Sequence, residues 1–323
     1  MKLSVVIPCY NSQNSIKEVV SKVKCVLSDN KLNNYEIICV DDGSGDNTSA
    51  VLKQLAFEDR KVKVVLLSKN FGQHAALMAG FNCVTGDIIA CMDDDGQNDA
   101  NDIIKLIDKL NEGYDVVSAR YEHEHRSFIR TLGSKVSMAM SHHLIGMPKD
   151  IELNSFCVFN RFVCNEVIKY KNPYPFIHGL MLRVTRNIAN VVLKRNERAY
   201  GNSGYTLRKL VSLWLNGFTA FSVLPLRIAS IVGAVASIGG FLFGLITVIR
   251  KIMIPTIYAG YSSILATILF FFGLNLLFLG LIGEYLGRTY ICINDAPQYV
   301  VRSSINTDSK EWANREISNA DKD

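Results

Sequence analysis

No two of the eight cysteines in this 323-residue chain form a CxxC pair. The six histidines likewise show no zinc-ligand spacing, so a structural zinc module is excluded. The cysteines sit mostly among apolar neighbours, and we expect buried, reduced thiols in a reducing compartment. The apolar start of the chain is too short for a secretory leader, because Asn11, Ser12 and Gln13 follow at once; the amino-terminal domain is expected to stay cytoplasmic. Nucleic-acid modules and basic-aromatic interleaving are also missing, so no nucleic-acid partner is expected. The net charge of +5 is modest, yet Lys194, Arg195, Arg198, Arg208, Lys209 and Arg227 gather just ahead of a long apolar region. That placement suits an anionic membrane surface, where each basic residue contributes about 1 kcal/mol; a solvated basic face has the same composition.

The first two-thirds is mixed in character. Residues 2–8, 35–40, 62–67, 88–92 and 116–119 are short β-branched apolar runs, the signature of buried strands. Helical patterns fill the gaps, with apolar residues at three- and four-residue spacing in 15–27 and 100–110. Strands that alternate with helices imply an α/β domain around a mainly parallel sheet covered on both faces.

From residue 228 onward the chain turns apolar. Residues 228–249 and 259–283 carry no charge, and each exceeds the roughly 20 residues that cross a bilayer as a helix. Gly240 and Gly244 make a GxxxG step in the first segment, and Asn275 is the one strongly polar residue in the second; both favour close helix packing. Ahead of them Leu207, Leu210, Val211, Trp214 and Leu215 lie at helical spacing beside Arg208 and Lys209, as in an interfacial helix or a helix packed on a core. The expected division is a catalytic domain over 1–203, an amphipathic segment 204–227, membrane helices 228–249 and 261–283 joined by a loop 250–260, and a tail 284–323 partly without regular structure. Two crossings return the tail to the side of the catalytic domain.

In parallel α/β sheets ligands bind beyond the carboxyl ends of the strands. Three of those ends are polar: Pro8-Cys9-Tyr10-Asn11, Asp41-Asp42-Gly43-Ser44 and Asp93-Asp94-Asp95-Gly96-Gln97. Adjacent carboxylates repel one another unless hydrated or neutralised. A hard divalent cation, Mg2+ or Mn2+, resolves this by bridging carboxylate oxygens to substrate phosphates. A solvated acidic turn would present the same residues.

Taken in order, VVIPCYN, VDDGSGDNT, NFGQHAALMAG and MDDDGQ resemble the family-2 glycosyltransferases of GT-A fold. RAYGNSGY (198–205), FSVLPLR before the first apolar segment and GEYLGR after the second are similar to the polyprenyl-phosphate sugar transferases, the group of dolichol-phosphate mannose synthase and the GtrB-like proteins. The resemblance covers about residues 3 to 300. It implies that Pro8, Tyr10 and Asn11 line a nucleotide pocket, with Asp41 reading the base and Asp42 supporting the loop. Asp93 and Asp94 would face the nucleotide-sugar, Asp95 with Asp93 the metal, Gln97 the donor, and Arg120 and Arg198 the diphosphate. The catalytic group would be Asp93, Asp95 and Arg198. The acceptor would be a polyprenyl phosphate, undecaprenyl phosphate in a bacterium, with Arg126, Arg130, Ser155, Ser203 and Arg208 as candidates for its phosphate and His123 and His125 nearby. The partners implied are this donor, this acceptor, the lipid bilayer at its cytoplasmic face, and further copies of the chain in a homo-oligomer, tetramers among the possibilities.

Three positions depart from the family pattern. Ser12 stands where many relatives carry Glu after the Tyr-Asn pair. Asn154-Ser155-Phe156 stands where many relatives carry Gly-Asp-Phe, and a serine cannot serve as the base proposed there. Gly204 stands where a lysine is common. A phosphate monoester has a second pKa near 6, so the acceptor is already a competent nucleophile at neutral pH. The expected reaction is one in-line displacement with inversion at the anomeric carbon. Two alternative functions make different demands on the sequence. A processive polysaccharide synthase would carry QxxRW, whereas Gln298 and Arg302 are misspaced and lack the Trp. A non-catalytic membrane-anchored scaffold would explain Ser155 and Gly204 but not the retained carboxylates.

Overall fold

The computed structural model describes residues 1–121, 151–194, 224–253, 260–294 and 296–307. They fall into two compact units, one formed by the chain up to Tyr205 together with the chain from Ala296, the other by Thr206–Asp295.

The first unit is built on eight strands: β1 (Leu3–Cys9), β2 (Tyr35–Asp41), β3 (Val62–Leu67), β4 (Ile88–Cys91), β5 (Val116–Tyr121), β6 (Cys157–Asn160), β7 (Ile188–Leu193) and β8 (Val301–Ile305), in the order β7-β5-β6-β4-β1-β2-β3-β8. The pairs β1–β2, β1–β4, β2–β3 and β5–β7 are parallel, as the alternating pattern predicts. Every residue of β1, β3 and β4 is buried, which is why they read as mainly apolar runs, interrupted at Ser4 and Lys63. Pro8 lies beyond the last β1–β4 pair, Val6 with Cys91, so its missing N–H costs no bond on that side. Helices α1 (Ile16–Asp29), α2 (Thr48–Glu58), α3 (Gln73–Phe81), α4 (Asp102–Asn111), α5 (Arg161–Val167) and α6 (Ile177–Val184) accompany the strands among the described residues. In α4 Ile103, Leu106, Ile107 and Leu110 are buried, the stripe that the spacing indicates.

Two strands run against the others. β6 lies antiparallel between β4 and β5, with Cys157 opposite Cys91. β8 lies antiparallel on the outer edge of β3. The expected tail is therefore corrected in part: residues 296–307 return to the sheet and cover an edge that would otherwise expose unpaired backbone. Gln298 donates to the carbonyls of Tyr170 and Asn172, the Asn82 amide donates to the Tyr299 hydroxyl, and Asn306 donates to Ala56 O at 2.7 Å and Val62 O at 2.9 Å. The expectation of buried thiols holds for Cys9, Cys39, Cys83, Cys91, Cys157 and Cys164, but Cys25 is exposed; it lies on the solvent side of α1, beside Asp29.

The second unit contains α7 (Leu224–Met253) and α8 (Tyr261–Ile293). Both outrun the apolar segments marked in the sequence, and α8 continues ten residues beyond Gly283. Gly233, Ala236 and Gly240 of α7 meet Phe271, Leu274, Asn275 and Phe278 of α8 around a cavity of about 280 Å³. The Asn275 amide donates back to Phe271 O, which satisfies it within its own helix. Among the described residues, Phe271–Ile293 is long and apolar enough to cross a membrane, and Ile231–Gly240 is a shorter apolar run. Large apolar side chains are exposed along both helices, Val235 and Phe243 on one and Phe272 and Leu279 on the other among them. The amphipathic segment 204–227 lies almost wholly outside the described residues.

Candidate active site

Because β5 and β7 run parallel to β4, the carboxyl ends of six strands lie at one end of the sheet, joined there by the amino ends of the antiparallel β6 and β8. The sequence-marked residues that the structure describes gather on this rim.

The loops after β1 and β2 are laced together. Asp42 N donates to Cys9 O, Asn11 N to Ser44 Oγ, and Gly45 N to Asn11 Oδ1. Ser12 N donates to Thr48 Oγ1 and Gln13 N to Asp46 Oδ2. Asn11 adopts a left-handed backbone, φ 53°, a conformation that asparagine tolerates better than most residues. Gly43 has φ 66°, and a Cβ there would lie 2.4 Å from the Lys69 carbonyl carbon, so the VDDGS turn needs glycine on both counts. Tyr10 is half exposed at the mouth of this pair of loops.

Asp41 and Asp42 close β2 and are both buried. Asp41 Oδ1 accepts Ser44 N at 3.0 Å, which folds the turn. Asp42 accepts Phe71 N at 2.7 Å and Gly72 N at 2.9 Å, one on each oxygen, and so fixes the entry to α3. Burial pushes the Asp42 carboxyl up to about 6 against those two bonds, and the neighbouring Asp41 charge adds to the rise.

The acidic run after β4 divides its tasks. Asp94 accepts Tyr10 N at 3.1 Å, tying the third strand end to the first; burial, with the charges of Asp93 and Asp95, raises its carboxyl to about 6. Asp93 is held from both sides, its Oδ1 accepting Gln73 Nε2 at 2.8 Å and its Oδ2 accepting Ser155 Oγ at 2.6 Å. Asp95 Oδ1 accepts Gln97 N at 3.1 Å, bending the loop back on itself, and Gly96 takes φ 73°. Ser155 reaches Asp93 because Cys157 pairs with Cys91, and each residue lies two places beyond that pair.

Behind Asp93, Asn154 N donates to Ser118 Oγ at 2.8 Å, and Asn190 braces the same segment by bonding Glu152 N, Glu152 O and Ser118 O. Arg120 on β5 forms an ion pair with Glu152, Nε to Oε1 3.8 Å. His74 and His178 stack edge to face with Phe176, and burial lowers their pKa values to about 3 and about 4, the two rings' mutual repulsion adding for His74. Gln73, His74 and His178 were not singled out from the sequence; NFGQHAALMAG signalled the first two only as members of a motif.

The structure thus brings together Pro8, Tyr10, Asn11, Asp41, Asp42, Asp93, Asp94, Asp95, Gln97, Arg120 and Ser155. Arg126, Arg130, Arg198, Ser203 and Arg208, with His123 and His125, lie outside the described residues. Among the described residues no three His, Cys, Asp or Glu side chains form a ready metal cage. The donor set of hard carboxylate oxygens fits a divalent ion that one or two carboxylates hold jointly with substrate phosphates.

A mainly parallel α/β sheet whose strand ends carry a carboxylate rim is the arrangement that the glycosyltransferase resemblance leads one to expect. The profile described as glycosyl transferase family 2 matches residues 4–168, and the chain belongs to that family. It is 35% identical over 315 residues to the uncharacterized glycosyltransferase YkcC of Bacillus subtilis, covering 96% of each chain. It is 32% identical over 308 residues to the undecaprenyl-phosphate 4-deoxy-4-formamido-L-arabinose transferase of Proteus mirabilis, covering 94% of each. Among solved structures it is similar in fold to glucosyl-3-phosphoglycerate synthase of Mycobacterium tuberculosis in complex with Mn2+ and UDP-glucose, with TM-score 0.50, 20% identity, and 66% of this chain and 75% of that chain covered.

Proposed function

We propose that this protein transfers a sugar, with inversion, from a nucleotide-sugar to undecaprenyl phosphate at the cytoplasmic face of the membrane. The observation that carries the reading is the joining of Asp93 to Gln73 and Ser155 on a rim that also holds Asp41 and Asp95. The rim offers polar loops and a carboxylate pair but, at Ser155, no carboxylate that could deprotonate an alcohol. An acceptor that arrives as a phosphate oxyanion needs none. The Proteus mirabilis relative, named for an undecaprenyl-phosphate sugar acceptor, supports the same choice.

In this reading Asp95, with Asp93, holds Mg2+ or Mn2+, which offsets the charge that develops on the departing nucleoside diphosphate. Asp41 and the Tyr10–Asn11 loop hold the nucleoside. Arg120 and Arg198 face the diphosphate, and Arg126, Arg130, Ser203 and Arg208 serve the acceptor phosphate. Gln73 and Ser155 keep the Asp93 carboxylate in place without titrating.

Membrane attachment follows the connectivity. The described part of the sheet unit ends at Lys194, after the rim end of β7, and resumes at Ala296, ahead of the rim end of β8. Both ends of the helical unit thus join one folded domain, so any crossing must be made an even number of times. α7 has 30 residues, about 45 Å of helix against a hydrocarbon core of about 30 Å, and α8 is longer. Exposed apolar side chains in this quantity are rare on soluble monomers. Two crossings, by α7 and α8, satisfy every constraint.

The test is transfer of radiolabel from UDP-, GDP- and dTDP-sugars to undecaprenyl phosphate by detergent-solubilised protein, with and without Mg2+ or Mn2+. Metal-dependent label in the lipid phase from one donor is expected. Failure with every donor, the protein being folded, would overturn the reading in favour of a non-catalytic role.

A further inference from the structure

Two hydrogen bonds reach Asp93 from distant parts of the chain. Gln73 opens α3, and Ser155 lies two places ahead of β6. The neighbours of both residues meet one cluster of rings. His74 follows Gln73, and its ring centroid lies 5.3 Å from that of Phe176 and 5.8 Å from that of His178, with interplanar angles of 79° and 87°. Phe176 and His178 are 5.7 Å apart at 77°. All three pairs are edge to face, the arrangement that aromatic quadrupoles favour. Phe176 immediately precedes α6 and His178 is its second residue, so ring contacts join the start of α3 to the start of α6.

The two histidines are not equivalent. His74 Nδ1 is buried with no hydrogen-bond partner among the described residues, so at that atom an imidazole does nothing that a benzene ring would not. His178 instead has a hydrogen-bond partner in the backbone of Asn154, which favours the protonated form against burial. Such a partner is the carbonyl oxygen, accepting an N–H of the ring. Burial still leaves the ring neutral near pH 7, and a neutral imidazole has a single N–H to give.

Asn154 is thereby tied at both backbone polar atoms, since its N–H donates to Ser118 Oγ at 2.8 Å. Its side chain competes for the proton that reaches Asp93. The Ser155 hydroxyl has one proton and two acceptors at hand, Asp93 Oδ2 at 2.6 Å and Asn154 Oδ1 at 3.1 Å. The shorter, charge-assisted bond prevails while Asn154 is kept from turning its amide oxygen closer.

We infer that His178 is a positioning residue for the proposed transfer: by holding the Asn154 carbonyl it directs the Ser155 hydroxyl to Asp93 and so keeps that carboxylate in place. His74 and Phe176 fix the imidazole by their ring contacts. The role rests on the proposed assignment of Asp93 to donor and metal, and it belongs to a side chain that acts on Asp93 only through Asn154 and Ser155.

The experiment is a double-mutant cycle on the full chain in detergent, combining His178→Phe with Ser155→Ala. Phenylalanine keeps a ring against His74 and Phe176 and removes the N–H. His178→Phe should lower kcat about 3- to 10-fold, the equivalent of one hydrogen bond, with KM for the nucleotide-sugar unchanged and Tm not lowered. Because both substitutions act on the same hydrogen bond, the double variant should be no slower than the slower single variant. The cycle read in Mn2+ affinity should show the same non-additivity, and amide exchange over 154–156 should accelerate in His178→Phe while that of β1 does not. Losses that multiply in the double variant, or a His178→Phe chain with the parental kcat, overturn the inference. A parent that transfers from no donor would sink the proposed reaction by itself. In that event accelerated exchange over 154–156 together with weakened Mn2+ binding in His178→Phe would sustain the positioning role, and parental values of either would overturn it.

Discussion

Ser155 Oγ donates to Asp93 Oδ2 across 2.6 Å, and the cross-strand pair of Cys91 with Cys157 makes that contact. The antiparallel insertion of β6 turns a residue 62 positions away into the neighbour of the first carboxylate after β4. Ser155 therefore holds a carboxylate in position. Removing the hydroxyl in Ser155→Ala should lower kcat about 3- to 10-fold, the equivalent of one hydrogen bond, with Tm unchanged. Ser155→Asp should do more damage, because it sets a like charge against Asp93. Steady-state transfer rates with thermal melts check both, and an Ser155→Asp variant faster than the parent would show that a base is wanted after all.

Asp95 and Asp93 are neighbours with different surroundings. Asp93 has a hydrogen bond on each oxygen from Gln73 and Ser155, whereas Asp95 Oδ1 accepts a bond within its own loop. Asp95→Asn should reduce transfer about 10²- to 10³-fold or more, as expected when stabilisation of a leaving group is lost, and weaken Mn2+ binding in parallel. Unchanged circular dichroism would locate the loss in the site. Near-normal transfer would remove Asp95 from the metal.

The pH dependence of stability should combine two opposing pairs. Asp42 and Asp94, raised to about 6 by burial and like charge, contribute stability that is full below the unfolded value of 3.8 and lost as pH rises through about 6. His74 and His178, lowered by burial to about 3 and about 4, act in reverse: the unfolded chain takes up their protons as pH falls below 6.5 while the folded chain resists, so stability falls on acidification. Between pH 4 and 6 the slopes largely cancel. Asp94→Asn should expose the histidine slope, with Tm falling as pH is lowered across this window in metal-free buffer, and His74→Gln should tilt the curve the other way. Parallel curves for all three proteins would refute the assignment.

Strands β1 to β5 were legible because each is a buried β-branched run, and the observed ends differ from the sequence reading by two residues at most. β6, β7 and β8 were not. β6 has four residues, too few for any period, and its partners are chosen by contacts distant in sequence. β8 follows a long apolar helix and reads as polar tail, since Arg302, Ser303 and Ser304 need bury only part of their surface on an edge. The carboxylates of the site were legible from their places at strand ends. Gln73, His74 and His178 were not, because α3 and α6 meet the rim only after the chain has folded.

Asn306 is a small anchor for that unforeseen strand. Its backbone has φ 60° and its amide serves two carbonyls, Ala56 O and Val62 O. Asn306→Ala should cost about 2 kcal/mol, from lost hydrogen bonds and the left-handed backbone together. Amide exchange should accelerate in β8 and in the β3 edge that it covers, with β1 and β4 unaffected. Uniform acceleration over the whole sheet would mean that β8 belongs to the cooperative core.

Because β8 pairs with β3 in the same sheet as β1, the two ends of the helical unit cannot lie on opposite sides of a membrane. A reporter fused after residue 323 should therefore read from the same side as one fused ahead of Met1, the cytoplasmic side if the proposed function holds. A single cysteine placed at 256, between α7 and α8, in a chain otherwise free of cysteine should label with an impermeant maleimide from outside intact cells. If that cysteine labels only after permeabilisation while the termini remain inside, the helices lie along the bilayer rather than across it. The apolar surface of α7 and α8 would then face a partner or the interfacial region. The carboxylate rim would be unaffected in that case, because Tyr10, Asp41, Asp93 and Asp95 all belong to the sheet unit, and only the proposed route of a lipid phosphate to the rim would change.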